Sequence, residues 1–191
     1  MNIEHTPLQG LLIIEPVIFK DARGYFFESY NQQKLNEAVS GLDFVQDNQS
    51  LSQKGVLRGL HFQHPPFAQG KLVRVIKGSV FDVAVDIRKT SATYGQWFGL
   101  ELSEINAKML YVPPGFAHGF LTLEHNTIFS YKCTSYYNAN SEDAIMWNDM
   151  VLKIDWPVTE TVLVSDKDQR AKSFKTFNSL LSNFWNSYKR N

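Results

Sequence analysis

Apolar and polar residues alternate along much of the chain in short runs separated by glycine, proline, asparagine and aspartate. The clearest case is the segment from Lys71, in which Val73 and Val75 are separated by one residue. The same period of two resumes after Gly78 and continues from Phe81 to Ile87. Alternation on both sides of a glycine turn predicts a β-hairpin.

Similar strand-like runs occur at Leu11–Ile14, Gly24–Tyr30, Phe44–Asn48, Val56–Phe62, Gln96–Leu102, Met109–Val112, Gly119–Leu123 and Thr127–Thr134. Within the body of the chain only Gln33–Val39 has a helical pattern. Many short strands at close spacing favour a sandwich or closed barrel over a sheet that alternates with helices. The sequence therefore predicts an all-β fold with short peripheral helices.

The end of the chain has a different pattern, with Phe174, Phe177, Leu181, Phe184 and Tyr188 at spacings of three and four. This spacing predicts an amphipathic helix. We divide the chain into a β domain at 1–173 and a helical extension at 174–191. The apolar stripe favours packing on its own domain or on a second subunit, with a membrane-surface or partner-docking role as the alternative.

Composition narrows the possible partners. The 191 residues suit one domain, and the 19 basic and 19 acidic side chains balance, so neither a nucleic-acid surface nor a membrane anchor is expected. Cys133 is the only cysteine, which excludes an intrachain disulfide and fits the cytoplasm; we expect it to be buried. The chain shows no signal peptide and no apolar run long enough for a transmembrane helix.

Three segments concentrate polar groups that could carry chemistry. In a regular strand over Val56–Gln63, Arg58 would share one face with Leu60, whereas Gly59 and His61 would share the other, with room for a ligand beside the glycine. A histidine in such a strand is, taken alone, more often structural. The charged run Val164–Asp168 is typical of a solvated loop.

The segment Tyr111–Phe120 places His118 after a Pro-Gly turn and resembles the second cupin motif. The first cupin motif supplies a His-x-His pair and a later glutamate, which with such a histidine hold a metal. At the corresponding place this sequence has His61-Phe62-Gln63, so the second histidine of the pair is missing. Lys71 follows, and its positive charge would repel a divalent ion. The sequence therefore predicts a barrel without a metal.

Seven motifs, taken together and in order, resemble the dTDP-4-dehydrorhamnose 3,5-epimerase family over roughly residues 8–170. They are DARGYFFESY from Asp21, FVQDN from Phe44, VLRGLHFQ from Val56, QGKLVR from Gln69, FDVAVDIR from Phe81, PGFAHGF from Pro114 and WND from Trp147. The resemblance implies a cupin or jelly-roll barrel and an epimerase that needs no cofactor. It also implies inversion of C3 and C5 of dTDP-4-keto-6-deoxyglucose.

The resemblance further assigns roles to four residues. His61 matches the family's base, Asp168 the carboxylate paired with it, Tyr131 the acid on the opposite face and Lys71 the cation near the C4 oxygen. Substrate-binding positions of the family correspond to Arg23, Glu28, Gln46, Asn48, Arg58, His118, Glu142 and Lys167. Phe26 and Tyr137 are candidates to flank the thymine ring.

The family also implies a homodimer in which an N-terminal strand crosses to the partner, so that Arg23 and Glu28 would complete the neighbouring site. One departure from the family is His64-Pro65-Pro66 after the HFQ string, at the expected rim of the pocket. The residues leave three alternatives open: an epimerase of one carbon or of another nucleotide sugar, a metal-dependent cupin, and a non-catalytic sugar-binding module.

Overall fold

The computed structural model describes residues 1–159 and 161–177, which form two facing antiparallel sheets, a small hairpin and two short helices. The elements are β1 (Asn2–His5), β2 (Leu12–Glu15), β3 (Phe19–Asp21), β4 (Gly24–Phe26), α1 (Gln32–Ala38), β5 (Gln46–Ser52), β6 (Leu57–Gln63), β7 (Lys71–Lys77), β8 (Ser79–Asp86), β9 (Trp97–Ser103), β10 (Met109–Val112), β11 (Phe116–Thr122), β12 (Thr127–Cys133), β13 (Glu142–Ala144) and α2 (Asp166–Gln169). The six-stranded sheet has the order β1-β2-β10-β7-β12-β5, and the five-stranded sheet has the order β13-β6-β11-β8-β9. This is the jelly-roll arrangement that the family resemblance implies, and it agrees with the sandwich or barrel that the strand pattern predicts.

The main core lies between the two sheets, where every second residue of a strand points inward. Val73 and Val75 of β7 meet Val80 and Ala84 of β8 there, with Phe129 of β12 between them. The apolar alternation of the sequence is therefore the inward face of each strand, as its period of two indicates.

The outer faces of both sheets are covered as well. Leu35 of α1 packs with Leu72 and Met109 on the six-stranded sheet. Val83 and Val85 of the five-stranded sheet lie beneath the later part of the chain, which includes Trp156. Both faces are buried, so the strands near the middle of each sheet carry apolar residues at consecutive positions.

The predicted hairpin at Gly78 is wrong, although both of its strands exist. β7 pairs with β10 and β12, whereas β8 pairs with β11 and β9 in the other sheet. Gly78, with φ of +78°, turns the chain from one sheet to the other. A Cβ there would lie 2.3 Å from the Thr127 hydroxyl oxygen, so the corner requires glycine. Period-two alternation identifies strands but does not show which strands pair.

The predicted faces of β6 are also wrong, because the strand contains a bulge. His118 of β11 pairs with His61, and Phe120, two residues on, pairs with Arg58, three residues back. The extra residue on β6 brings Arg58 to the same side as His61. Gly59 does not make room for a ligand: a Cβ there would lie 2.5 Å from the Cα of Gly119, so the glycine admits the neighbouring strand.

Most predicted elements are confirmed with ends shifted by at most four residues. The helix predicted at Gln33–Val39 is α1, whose N-cap Asn31 accepts a hydrogen bond from the Lys34 amide through its side chain. The run from Gly24 to Tyr30 is a strand only as far as Phe26. The short elements β1, β3, β13 and α2 are not in the prediction.

Most of the predicted C-terminal helix lies outside the described residues, which end at 177. Of its stripe, Phe177 is buried against Phe62 with ring centroids 5.2 Å apart, and Phe174 packs on Tyr94 at the same separation. The division at residues 173 and 174 stays a prediction. Among the described residues no helix is long and apolar enough to cross a bilayer.

Candidate active site

Two adjoining cavities open between the sheets. The first, which we call the Tyr137 cavity, has a volume of about 250 Å³ and is lined by Gln46, Asn48, His61, Phe62, Gln63, Gln69, Lys71, Tyr131, Tyr137 and Glu142. The second, the His118 cavity, has about 190 Å³ and is lined by Gln49, Ser50, Arg58, His61, Lys71, His118, Phe120, Phe129 and Tyr131. His61, Lys71 and Tyr131 line both cavities and therefore form a shared wall.

His61 is held by Asp168. The distance from His61 Nε2 to Asp168 Oδ1 is 2.6 Å, and the carboxylate is 3% exposed. Burial raises the pKa of Asp168, but hydrogen bonds from His61, the Gly59 amide and Ser165 outweigh it, so the pKa lies below its ordinary value. Because an ionised carboxylate only accepts, this pairing places the proton of a neutral His61 on Nε2 and leaves the Nδ1 lone pair available.

Asp168 belongs to α2, which lies within a segment fixed at both ends. We call residues 163–172 the strap. The amide of Leu163 donates to Gly55 at 2.9 Å, and the carbonyl of Lys172 accepts from Met146 at 2.9 Å. Ser165 caps α2 by accepting from the Asp168 amide. The charged run that the residues alone indicate as a solvated loop thus delivers a buried carboxylate to the cavity.

Lys71 and Tyr131 lie on the six-stranded sheet, opposite His61 on the five-stranded sheet. Lys71 Nζ is 6.0 Å from the centroid of the Tyr131 ring. Burial lowers the pKa of Lys71, and the nearby Cys133, Asp82 and Glu142 offset only part of that effect. Burial likewise raises the pKa of Tyr131. A cavity that holds a sugar ring between these sheets would place an imidazole on one face and a phenol on the other.

His118 forms a second paired imidazole. Its Nε2 lies 2.9 and 3.0 Å from the two carboxylate oxygens of Asp82, which is fully buried. Arg58 lies on the same cavity and donates to the Ser52 hydroxyl at 3.1 Å. The His118 cavity therefore presents an imidazole and a guanidinium group to a ligand.

The predicted binding residues Gln46 and Asn48 come from alternate positions of β5. Gln46 donates to Asn48 Oδ1 at 3.0 Å, and Asn48 in turn donates to Cys133 Sγ at 3.6 Å. Cys133 is buried, as predicted. These bonds fix the two amides as part of the Tyr137 cavity wall.

Glu142 and Lys167 form an ion pair at the rim of the Tyr137 cavity. The Tyr137 hydroxyl donates to the same Glu142 oxygen at 2.8 Å. Burial raises the pKa of Glu142, but the bonds from Lys167 and Tyr137 outweigh it and the pKa is lowered. The ionised carboxylate of Glu142 in β13 thus contacts both Lys167 of the strap and the hydroxyl of Tyr137.

Arg23 and Glu28 lie away from both cavities. Arg23 is at the tip of the β3–β4 hairpin, where it pairs with Asp21 at 2.6 Å, and Glu28 pairs with Lys34 at 2.8 Å. Phe26, the other aromatic candidate, is 69% exposed on this hairpin. The single chain therefore assembles ten of the twelve predicted residues, whereas Arg23 on the hairpin and Glu28 just beyond it stand apart.

Sequence reasoning did not select several polar residues of the site, of which three are informative. Asp82 pairs with His118, Gln63 lines the Tyr137 cavity, and Ser50 lines the His118 cavity with its hydroxyl oxygen buried and without a partner among the described residues. A polar residue on the inward face of an apolar strand is the signal that could have identified Asp82. His64, at the family departure, bonds Asp143 at 3.1 Å.

Residues 1–159 and 161–177 contain no group of three or more His, Cys, Asp and Glu side chains placed to hold a metal ion. The two cavity imidazoles are instead each paired with a carboxylate, and the Lys71 ammonium group lies at the wall between the cavities. The geometry is therefore suited to proton transfer between side chains and a bound ligand.

The fold and the site define a class: a jelly-roll barrel of the cupin type whose interior carries acid–base side chains. The sequence profile of the dTDP-4-dehydrorhamnose 3,5-epimerase family matches residues 5–176. The chain is 53% identical over 172 residues to the Salmonella typhimurium dTDP-4-dehydrorhamnose 3,5-epimerase, covering 90% of this chain and 94% of that protein.

Two solved structures extend the comparison. The dTDP-6-deoxy-D-glucose-3,5-epimerase of Legionella pneumophila in complex with dTDP-4-keto-L-rhamnose has a TM-score of 0.91 at 50% identity, with 94% of this chain and 96% of that chain covered. A 3'-monoepimerase of Streptomyces bikiniensis in complex with dTDP-quinovose has a TM-score of 0.89 at 29% identity, with 96% of both chains covered. This chain belongs to the dTDP-4-dehydrorhamnose 3,5-epimerase family.

Proposed function

We propose that this protein inverts C3 and C5 of dTDP-4-keto-6-deoxy-D-glucose to give dTDP-4-keto-L-rhamnose. The observation that carries the proposal is the shared wall, in which His61 of one sheet, held by Asp168 of the strap, faces Tyr131 and Lys71 of the other sheet. The hydrogens on C3 and C5 are acidic because both carbons adjoin the C4 ketone. An inversion at such a carbon needs a base on one face, an acid on the other and a group that stabilises the enolate.

In the proposed mechanism His61 removes the proton. The C–H bond breaks, its electron pair forms the enolate double bond, and the proton goes to the Nδ1 lone pair of His61. Asp168, ionised and 2.6 Å from Nε2, stabilises the imidazolium that results. Negative charge collects on the C4 oxygen, where a protonated Lys71 stabilises it.

Tyr131 then protonates the carbon from the opposite face and becomes a phenolate. Its raised pKa keeps the phenol protonated until this step. Exchange of protons with solvent returns His61 and Tyr131 to their starting states. The same two groups serve C3 and C5 in turn, since each carbon adjoins the C4 ketone.

We assign the nucleotide to the Tyr137 cavity and the sugar to the shared wall. The Tyr137 ring can stack on a base, and the amides of Gln46 and Asn48 offer hydrogen bonds. A diphosphate needs cations, which Lys167 supplies at the rim and Arg58 in the adjoining cavity. His118, held by Asp82, lies within the cavity that adjoins the sugar.

We also propose that the functional unit is a homodimer with strand exchange. In one chain the β3–β4 hairpin pairs with neither large sheet, and it exposes Phe19, Tyr25 and Phe26. A second copy would cover those aromatic side chains and receive Arg23 and Glu28 at its own Tyr137 cavity. Exposed aromatic groups beside charged ones are typical of protein interfaces.

We propose that the reaction needs neither a metal nor a cofactor, and the expected cytoplasmic location stays a prediction. Acid–base groups alone supply each step above, and the Lys71 ammonium would repel a divalent ion at the shared wall. Full activity after dialysis against a chelator, with no stoichiometric metal in elemental analysis, is the expected result. A stoichiometric metal on which activity depends would favour a metal-dependent cupin instead.

The direct test is incubation with dTDP-4-keto-6-deoxyglucose in heavy water, followed by NMR. We expect deuterium at both C3 and C5 and inverted configuration at both carbons. Label at one carbon alone would indicate a single-carbon epimerase, the activity named for the Streptomyces bikiniensis relative. Binding without any exchange would indicate a sugar-binding module.

The His61→Ala variant tests the base. We expect exchange at both carbons to fall by roughly 10²- to 10⁴-fold, the range for loss of a general base, while dTDP binding survives. His125→Ala is the matched control, because His125 lies on an exposed turn and contacts Gln53. Unchanged turnover in His61→Ala would exclude the assigned base.

A further inference from the structure

Gln63 is a buried amide that the proposed mechanism does not use. It lies on β6 two residues beyond His61 and is 5% exposed. Its Nε2 donates to the carbonyl oxygens of Phe67 at 2.6 Å and Tyr136 at 3.2 Å, and its Oε1 accepts from the Asn138 amide at 2.7 Å. Both amide hydrogens are therefore occupied, which leaves Gln63 no donor for a ligand.

The bonds from Gln63 converge on the Tyr137 loop, which we define as residues 134–141 between β12 and β13. Tyr136 and Asn138 stand on either side of Tyr137 in this loop. Two further glutamines bind it as well: Gln69 donates to the Ser135 carbonyl at 2.7 Å, and Gln46 accepts from the Tyr137 amide at 2.9 Å. Three glutamine side chains thus hold the backbone of one loop.

Side-chain burial does little to hold this loop in position. Tyr136 is 66% exposed and Tyr137 is 55% exposed, so neither ring anchors the loop in a core. The remaining side-chain anchor near Tyr137 is its bond to Glu142 at the rim. The ends of the loop are held by backbone bonds, Thr134 to Gly70 and Ser141 to His64, whereas the backbone of residues 135–138 bonds the three glutamine side chains.

We propose that Gln63 is a positioning residue that fixes the Tyr137 loop, so that Tyr137 and Glu142 are ready to receive the nucleotide. This inference rests on the proposed function, because it assigns the nucleotide to the Tyr137 cavity. Gln63 acts on substrate binding through the loop and takes no part in proton transfer at the shared wall. β6 therefore carries both the base and the residue that orders the binding loop.

The test uses Gln63→Met, which keeps the length of the side chain and removes its polar atoms, and Gln63→Glu, which keeps the acceptor for Asn138 but loses both donors. We expect the Kd for dTDP, measured by calorimetry, to rise about tenfold, which corresponds to about 1.4 kcal/mol. Amide hydrogen exchange within the Tyr137 loop should accelerate in the free protein. Saturating substrate compensates for weaker binding, so kcat for deuterium incorporation should fall less than kcat/KM does.

Gln53→Met is the matched control, because Gln53 makes its contacts with Asn126 and His125 on an exposed turn. A variant counts as folded if it keeps the circular dichroism spectrum of the original protein, and one folded Gln63 variant is enough to test the inference. Unchanged loop exchange, or unchanged dTDP affinity, in a folded variant would overturn the inference. If the original protein binds dTDP but exchanges no substrate protons, the proposed function fails while the loop measurement still stands.

Discussion

Burial acts in opposite directions on the two titrating groups of the six-stranded sheet. It lowers the pKa of Lys71 and raises that of Tyr131, since in both cases the uncharged form is favoured. Tyr131 therefore keeps its proton, as its proposed role of general acid requires. Lys71 keeps its charge over a narrower pH range than a lysine in water.

Tyr131→Phe separates proton removal from inversion. His61 remains able to remove a proton and return it to the same face, so solvent exchange should persist. Inversion should fall by roughly 10²- to 10⁴-fold, because no acid remains on the opposite face. NMR of the products in heavy water would show label without change of configuration. A variant that loses exchange and inversion equally would contradict separate roles for the two faces.

Lys71→Arg tests the charge at the shared wall through pH dependence. Because the pKa of Lys71 is below its ordinary 10.5, the charge is present at low pH and is lost as pH rises through that lowered value. The alkaline decline of kcat/KM should therefore lie below pH 10.5. A guanidinium stays protonated beyond this range, so in Lys71→Arg the decline should move to higher pH.

Lys132→Arg is the control for Lys71→Arg, since Lys132 pairs with Asp47 on the outer side of the barrel. An alkaline decline that stays at the same pH in Lys71→Arg would mean that another group controls it.

At the scale of the residue, the sequence alone distinguished the site only in part. His61 and His118 stand at the positions of the two cupin motifs, and Lys71 follows the first of them. No such pattern identifies Asp168, because a charged run has the same sequence pattern whether it faces solvent or supplies one buried carboxylate. Only the resemblance to the family singled it out, and only the fold shows that α2 carries it to His61.

Among the elements, β6 is where packing and chemistry meet. Its bulge places Arg58 and His61 on one side, and Gly59 allows β11 to approach. Strand alternation could predict the strand but not the bulge, because the bulge depends on contact with a neighbour distant in sequence. The hairpin expected at Gly78 was wrong for the same reason. Local pattern defines strands, whereas long-range packing defines their partners.

Gly59→Ala should destabilise the protein more than Gly24→Ala. Both glycines have a similar positive φ, +133° and +125°, so both variants incur backbone strain. A Cβ at Gly59 also meets Gly119 at 2.5 Å, whereas at Gly24 no atom of the described residues of the same chain lies within 4 Å. We expect the free energy of unfolding of Gly59→Ala to be lower than that of Gly24→Ala by about 1–3 kcal/mol, the usual cost of overpacking.

Urea titrations of both variants would measure this difference. Equal losses of stability would mean that β11 can move away from Gly59 without cost.

On the scale of the whole molecule, strand exchange can be tested by mixing inactive subunits. Arg23→Ala and His61→Ala proteins should each be inactive or nearly so. A mixed dimer would contain one site with both an intact base and Arg23 of the partner subunit. After unfolding and refolding together, equal amounts should regain about a quarter of the original activity, since about half of the dimers are mixed and each has one intact site.

No recovery in the mixture, with mixed dimers present by mass spectrometry, would indicate that Arg23 serves the cavity of its own subunit. Light scattering of the original protein should give the mass of two chains.

The strap makes two separate contacts of the candidate site depend on one segment of the chain. One short stretch of chain supplies the carboxylate that pairs with His61 and, one residue earlier, the lysine that pairs with Glu142. A displacement of the strap would separate Asp168 from His61 and Lys167 from Glu142 at the same time. If the proposed assignments hold, a strap in place at the nucleotide end of the site also keeps Asp168 against the proposed base.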